Sequence, residues 1–407
     1  ALESLPSFGD ARGANALVVQ IEALQSWVIE ADIDGKPVMP FLRSLRTKNQ
    51  DLGSLLDQTG DSPTSDCEYL VLNSLLPLER GSVAFRRPGN DFVALPKVLR
   101  EAGYSTLSAH GYTRGMWNRA VLHPRYGFDN SYFLDDLPPE PKLGWGMGDK
   151  PFFGHAIDLL RDSQQPFFAF FITLTSHHPY HYLPPEERTL DAAGLPPVMG
   201  DYLASMRYVD EALQGLFEGL REHRLLENTL VMLYGDHDAK LRWSSKSAAV
   251  AAPRLGIEQE SLTRIGRREW TVDRVPALIV MPSTHATPTD DVETFGGQID
   301  LGPTLLHHLG IRAPAAWLGS PLVPQRSGWV FRGDGAGGDD VFDVPPAGGP
   351  AACRRRDGGA LSEMDRLGCG RLVEAISAHR KASASITLHN LAHSVSSKPV
   401  TSPFAPP

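Results

Sequence analysis

Four side chains scattered through 407 residues have the right types to activate a hydroxyl on a metal ion: Glu22, Thr64, Asp236 and His237. Thr64 lies in Gly60-Asp61-Ser62-Pro63-Thr64-Ser65-Asp66-Cys67-Glu68, which reads as a turn feeding a helix. Pro63 fixes the bend, and Ser65 followed by Glu68 has the form of a capping box. Such a helix start offers unpaired N–H groups and partial positive charge, a seat for a phosphate. Alone, a Thr-Ser pair signals no more than a helix cap. The context changes that, because Glu22 and Asp236-His237 each end an apolar run typical of a buried strand. One divalent cation held by Glu22, Asp236, His237 and the Thr64 oxygen is chemically coherent. It would lower the hydroxyl pKa and clamp a phosphate oxygen.

The elements that must position these groups follow from periodicity. Apolar runs at 16–21, 105–109, 167–174, 229–234 and 276–281 read as strands. Helical spacing marks 95–102, 201–222 and 301–309, the last with Asp300 as cap and Gly310 as stop. Alternating strand and helix predict an α/β fold, a mostly parallel central sheet with helices on both faces. In such sheets, ligands collect at the carboxyl ends of the strands. His110 and the Thr175–Tyr180 segment, with its His177-His178 pair, follow two of those ends. Successive side chains of an extended segment alternate, so at most one of the two histidines faces the site. Trp117 offers an apolar wall, and Arg119 two N–H groups that would fork onto a phosphate.

Composition sets the bounds. Hydrophobic residues make up 42% and charged residues 21%, as in an ordinary globular protein. A net charge of −9 argues against nucleic acid as a partner. The longest apolar run, Pro166 to Leu174, is far short of the about 20 residues of a bilayer helix. The chain opens on Ala1 and is read as a trimmed form, with any targeting or anchoring segment removed. Beyond Arg332 Gly, Pro and Asp dominate, which predicts a catalytic domain over 1–335 (core 15–310, a smaller subdomain at about 311–335). Residues 336–407 are then a linker and a partly mobile tail, with a helix at 362–378. Cys353 and Cys369 are able to pair in an oxidising compartment, whereas Cys67 sits beside Thr64.

Seven segments, in order, carry a family resemblance: VVQIEALQSW (18–27), PTSDCEY (63–69), AHGYTRGMWNR (109–119), GWGMGDK (144–150), TLTSHHPY (173–180), YGDH (234–237) and GGQIDLGPTLLHHLG (296–310). The chain resembles lipoteichoic acid synthase and its relatives, phosphoglycerol transferases of the alkaline phosphatase/sulfatase superfamily. The resemblance implies metal ligands at Glu22, Thr64, Asp236 and His237, with Thr64 as covalent nucleophile. It also implies a phosphoglycerol pocket lined by His110, Trp117, Arg119 and His177. The implied ion is manganese, with magnesium or zinc as alternatives. The implied partners are the phosphatidylglycerol head group, a glycan or polyglycerol-phosphate acceptor and the membrane surface, on the extracytoplasmic side.

Two readings compete with transfer of phosphoglycerol. One is a phosphoethanolamine transferase or phosphodiesterase of the same superfamily; the other is an inactive lipid- or glycan-binding domain. The complete set of ligands speaks against the second. Ethanolamine would want a carboxylate near the head group, and Asp149 is the one candidate. Sulfatase chemistry is disfavoured, since neither Cys67 nor Cys353 stands in a C/S-x-P-x-R context.

Overall fold

The computed structural model describes residues 5–267, 274–285, 296–323, 329–332, 335–338, 342–344, 354–355, 360 and 362–396. Seven strands form its central sheet: β1 (Asn15–Ile21), β2 (Gln50–Leu56), β3 (Ser105–His110), β4 (Asn130–Tyr132), β5 (Phe167–Ile172), β6 (Thr229–Gly235) and β7 (Arg274–Val280). Their order is β2-β7-β6-β1-β5-β3-β4. Neighbours from β6 through to β4 run parallel. Only β7 opposes its neighbours, β6 and β2. This is the mostly parallel α/β sheet that the alternating patterns predict. The pattern did not reveal β2, whose QDLGSLL is broken by polar residues and by Gly53 at φ +82°. It is an edge strand, where one apolar face suffices.

Successive strand residues feed two cores. Leu17, Val19 and Ile21 of β1, with Phe167, Ala169 and Phe171 of β5, pack on one face. That face is covered by helices at Asp149–Arg161 and Pro197–Glu222, which contribute Phe152, Phe153, Leu203 and Leu213. Val18, Phe168 and Phe170 point the other way, against the helices Pro63–Asn73 (α1), Leu95–Glu101 (α2) and Leu301–His308 (α3). Burial on both faces is why these strands read as unbroken apolar runs.

Strands Trp329–Arg332, Gly335–Gly338, Phe342–Val344 and Arg354–Arg355 pair antiparallel in a small sheet. A glycine run satisfies its backbone by pairing on both sides, whatever its side-chain propensity. The expected tail helix is present and ends ten residues later, Glu363–Leu388 (α4). Its last turns hold because Ser383 donates to Leu76 O at 3.0 Å and Thr387 meets Tyr69 Oη at 2.7 Å. Cys369 is disulfide-bonded, Cys67 is a buried free thiol, and Cys353 lies outside the described residues. Among the described residues no helix is long and apolar enough to cross a membrane.

Gly235, the last residue of β6, is a position where only glycine fits. A Cβ there would lie 2.0 Å from the Leu24 carbonyl oxygen, a backbone atom that cannot swing aside. Gly235→Ala is expected to destabilise the protein by about 1–3 kcal/mol, as overpacking does. A urea unfolding midpoint unchanged from wild type would contradict this.

Candidate active site

In the parallel register of β1 and β6, Ile21 pairs with Gly235, so Glu22 and Asp236 leave the sheet side by side. Asp236 Oδ1 accepts the Ala23 N–H at 2.8 Å, which turns Oδ2 toward His237 Nε2 at 3.5 Å. Glu22 Oε1 lies 3.2 Å from the same nitrogen. His237 Nδ1 donates to the Asp238 carbonyl at 2.7 Å, which leaves Nε2 as the nitrogen facing the carboxylates. Thr64 enters from α1, where Pro63 occupies the first turn. Its Oγ1 sits 3.3 Å from Glu22 Oε2 and 3.4 Å from His237 Nε2. All four groups are buried.

Two buried carboxylates and an imidazole shift one another strongly. Burial alone would raise Glu22, but His237 beside it holds the carboxyl down at about 2. Asp236 is pushed well up, first by burial and then by Glu22. Burial would depress His237, yet Asp236 and Glu22 raise it to about 10. Ligand atoms of Glu22, Asp236 and His237 all lie within 4.8 Å of one another. The spacing fits a metal. A tetrahedron with corners about 2.0–2.1 Å from its centre has edges of about 3.3–3.4 Å. The separations among the four residues are similar, 3.2, 3.3, 3.4 and 3.5 Å, with Glu22 meeting His237 through Oε1 and Thr64 through Oε2.

Above this cluster opens a cleft lined by Glu22, Thr64, His110, Trp117, Arg119 and His177, all named from the sequence. Tyr112, Met116, Trp145 and Leu174 complete it. His110 donates Nδ1–H to the Ile172 carbonyl at 3.0 Å. Burial, and then Arg119, depresses its pKa to about 3, so it is a neutral acceptor through Nε2. His177 likewise spends Nδ1 on the His178 carbonyl at 2.7 Å, while His178 itself is exposed.

Three expectations need correction. Ser65 and Glu68 do not form a capping box: Ser65 Oγ meets Ser82 Oγ at 2.9 Å, and Glu68 turns inward. There it takes the fork of Arg119, with Nε at 3.1 and 3.2 Å from its two oxygens and Nη2 on Oε1 at 2.5 Å. His123 Nε2 adds a third donor at 3.3 Å. The forked contact of Arg119 is thus made to Glu68, and Nη1, buried without a partner, is what remains for a ligand. Asp149 is also not free for a head group. Its oxygens accept the N–H groups of Leu174 at 2.8 Å and Thr175 at 2.9 Å, anchoring the loop that carries His177.

Comparison with known proteins places this geometry. Residues 14–311 match the sulfatase family. The chain belongs to that family. It is 33% identical over 314 residues to lipoteichoic acid synthase 2 of Bacillus subtilis, covering 75% of this chain and 46% of that protein. Lipoteichoic acid synthase 1 of the same organism is 32% identical over 310 residues, covering 75% and 47%. The chain thus spans about half the length of the curated relatives it matches. Among solved structures, the lipoteichoic acid synthase LtaP from Listeria monocytogenes superposes with a TM-score of 0.77 at 19% identity, covering 93% of this chain and 97% of that one. The Streptococcus pyogenes phosphoglycerol transferase GacH, in complex with sn-glycerol-1-phosphate, gives 0.55 at 15% identity, covering 75% and 76%. The periplasmic domain of EptC from Escherichia coli, in complex with Zn, gives 0.53 at 17%, covering 80% and 91%. These three likenesses establish the alkaline phosphatase/sulfatase-like fold.

The Glu68–Arg119 pair makes a pH-dependent prediction. Burial would raise Glu68, but Arg119 and His123 hold it near 2, against 4.5 for an ordinary glutamate. A depressed carboxylate contributes fully above the unfolded value and loses that contribution as pH falls through the folded one. Glu68→Gln leaves a buried arginine unpaired and should cost about 3–5 kcal/mol at neutral pH. The gap to wild type should close between about pH 4.5 and pH 2. Denaturant midpoints measured across that range test it, and a pH-independent gap would refute the pairing.

Proposed function

We propose that this chain is the catalytic part of a metal-dependent phosphoglycerol transferase acting on the outer side of the cytoplasmic membrane. The observation that carries the reading is the Thr64 hydroxyl, held between Glu22 and His237 at the floor of the His110/Trp117/Arg119/His177 cleft. Glu22, Asp236, His237 and Thr64 would hold one divalent ion, manganese in our reading. Bound there, it would supply Lewis-acid charge that favours the Thr64 alkoxide and polarises the phosphate.

Thr64 Oγ1 attacks phosphorus of the phosphatidylglycerol head group, and the bond to the diacylglycerol oxygen breaks. The product is a phosphoglyceryl-threonine. Arg119 Nη1 steadies a non-bridging oxygen. His110, held neutral, accepts a hydrogen bond from a glycerol hydroxyl, and Trp117 walls the polyol. His177, with Nδ1–H held on the His178 carbonyl, gives the leaving oxygen a proton from Nε2 in its imidazolium form, and the proton released from Thr64 Oγ1 replaces it. A hydroxyl of a glycan or polyglycerol-phosphate acceptor then takes the group from Thr64. The names of the relatives and of GacH support phosphoglycerol as the group moved.

Charge supports a diester over a monoester. Glu22 and Asp236 balance a divalent ion, and Glu68 balances Arg119. A site near neutrality suits a monoanion better than a dianion. Asp149, consumed by backbone N–H groups, offers no counter-charge for ethanolamine.

Thr64→Ala should abolish transfer and the covalent adduct, while stability falls by about 1 kcal/mol or less. Mass spectrometry after incubation with phosphatidylglycerol reads the adduct; an adduct persisting in the variant would move the nucleophile elsewhere. Chelation should lower the melting temperature as well as activity, and manganese should restore both.

Head-group preference is a separate test. Diacylglycerol release from phosphatidylglycerol should exceed that from phosphatidylethanolamine, with simple phosphate monoesters poor substrates. The reverse order would favour the phosphoethanolamine reading.

A further inference from the structure

We propose that the mouth of the Thr64 cleft is a membrane-docking surface, in which Phe85 and the arginines around it engage the interfacial layer of an anionic phosphatidylglycerol bilayer. The inference rests on the head-group reading above. A head group can reach Thr64 with its acyl chains still in the bilayer only if the cleft opens at the interface.

Apolar side chains crown that opening. Phe85 is 58% exposed, and its ring lies 5.9 Å from that of Trp117, one wall of the cleft. On the opposite wall Trp145, 42% exposed, packs edge-on to Tyr112 at 6.2 Å and to His177 at 5.0 Å. An exposed Phe costs solubility and earns nothing in the fold. At a lipid interface it is favourable, as are tryptophan and tyrosine.

Phe85 is also fixed to the chemistry. It sits in the short helix Val83–Arg86, where the Ser82 Oγ accepts the Ala84 N–H at 3.0 Å. The same oxygen meets Ser65 Oγ at 2.9 Å, one residue from Thr64. Asn118 Nδ2 donates to Ala84 O at 2.9 Å and ties the helix to the Trp117 segment.

Charge around Phe85 runs against the chain as a whole. Arg80 and Arg86 are exposed and Arg87 is partly so, on a protein of net charge −9. Arg86 and Arg87 each donate to a backbone carbonyl, of Arg80 and Arg86 respectively, at 2.8 Å. Among the described residues no carboxylate pairs with any of the three. Of the acids beside this segment, Glu79 faces Arg380 at 3.7 Å and Asp61 accepts the Gly81 N–H at 3.1 Å. Uncompensated arginines beside an exposed aromatic are complementary to an anionic lipid surface.

Co-sedimentation of the full chain with phosphatidylglycerol or phosphatidylcholine vesicles tests this, alongside turnover of a short-chain phosphatidylglycerol kept below its micelle concentration. Wild type should bind phosphatidylglycerol vesicles preferentially, and less so in about 0.5 M salt. Arg86→Gln and Arg87→Gln should each weaken vesicle binding roughly fivefold. Phe85→Ser should weaken it about tenfold. None of the three should change turnover of the monomeric lipid, while turnover of vesicles falls. Equal binding to both vesicle types, variants that bind like wild type, or parallel loss on monomer and vesicle would each overturn the docking surface. Preferential binding that responds to the variants, with no turnover of either lipid, would sustain it and overturn the head-group reading instead.

Discussion

Two carboxylates that repel each other are forced together by the register of a parallel strand pair. Because Ile21 faces Gly235, Glu22 and Asp236 have no choice but to emerge as neighbours, both buried. Separate hydrogen-bond partners make the pairing tolerable. Asp236 Oδ1 is taken by the Ala23 N–H, which requires Ala23 to adopt φ +56°. That conformation is supported from below, where Tyr202 Oη donates to the Ala23 carbonyl at 2.7 Å. The close approach of Leu24 O to Gly235 follows from the same turn. What remains is a pair of inward-facing carboxylate oxygens, with an imidazole within 3.5 Å of both residues and a hydroxyl 3.3 Å from Glu22.

Beneath the pair lies a polar layer inside an otherwise apolar sheet. Gln20, next to the last residue of β1, donates to Thr64 O at 3.3 Å and receives the Tyr234 hydroxyl at 2.9 Å. Gln298 receives the Gln58 N–H at 2.9 Å, and its Nε2 reaches Gly235 O at 3.3 Å and Cys67 Sγ at 3.2 Å. These bonds tie β1, β6, α1 and the 296–300 segment into one unit. Buried polar groups satisfied in this way specify a single arrangement, since any slip would leave one unpaired. Cys67 belongs to this layer. Burial pushes its thiol well up, so it is a packing group and acceptor, unlike a reactive thiolate.

Much of this was legible because buried parallel strands announce themselves as apolar runs, and the residues that end them are easy to single out. Glu22, His110, Asp236 and His237 were found that way, and the structure brings them with Thr64 to one sheet edge. Glu68 was not. A Ser-x-x-Glu pattern has the same appearance whether the acid folds back on its own helix or waits for an arginine 51 residues later. Tyr112, Met116 and Trp145 escaped for a related reason: they stand on turns and on a single 3-10 turn, too short for periodicity to tell which way a side chain points. The small C-terminal sheet was not legible in composition. Glycine runs lack strand propensity, yet backbone pairing on both sides holds one in place.

The tail also bears on the nucleophile. All eleven residues of α1 are buried, although Thr64, Ser65, Asp66, Glu68 and Asn73 are polar. A helix so placed cannot rely on one apolar stripe, and neighbours must cover its whole circumference. Core residues beneath the sheet and α3 cover part of it. The tail helix covers the rest, through Cys369 and Ile376 against Leu70 and Leu76, and through Thr387 on Tyr69. A reacting hydroxyl must keep its position within a few tenths of an ångström, and rigid, enclosed elements achieve that better than loops. Residues more than 300 positions away in the chain thus help to hold Thr64 against Glu22 and His237.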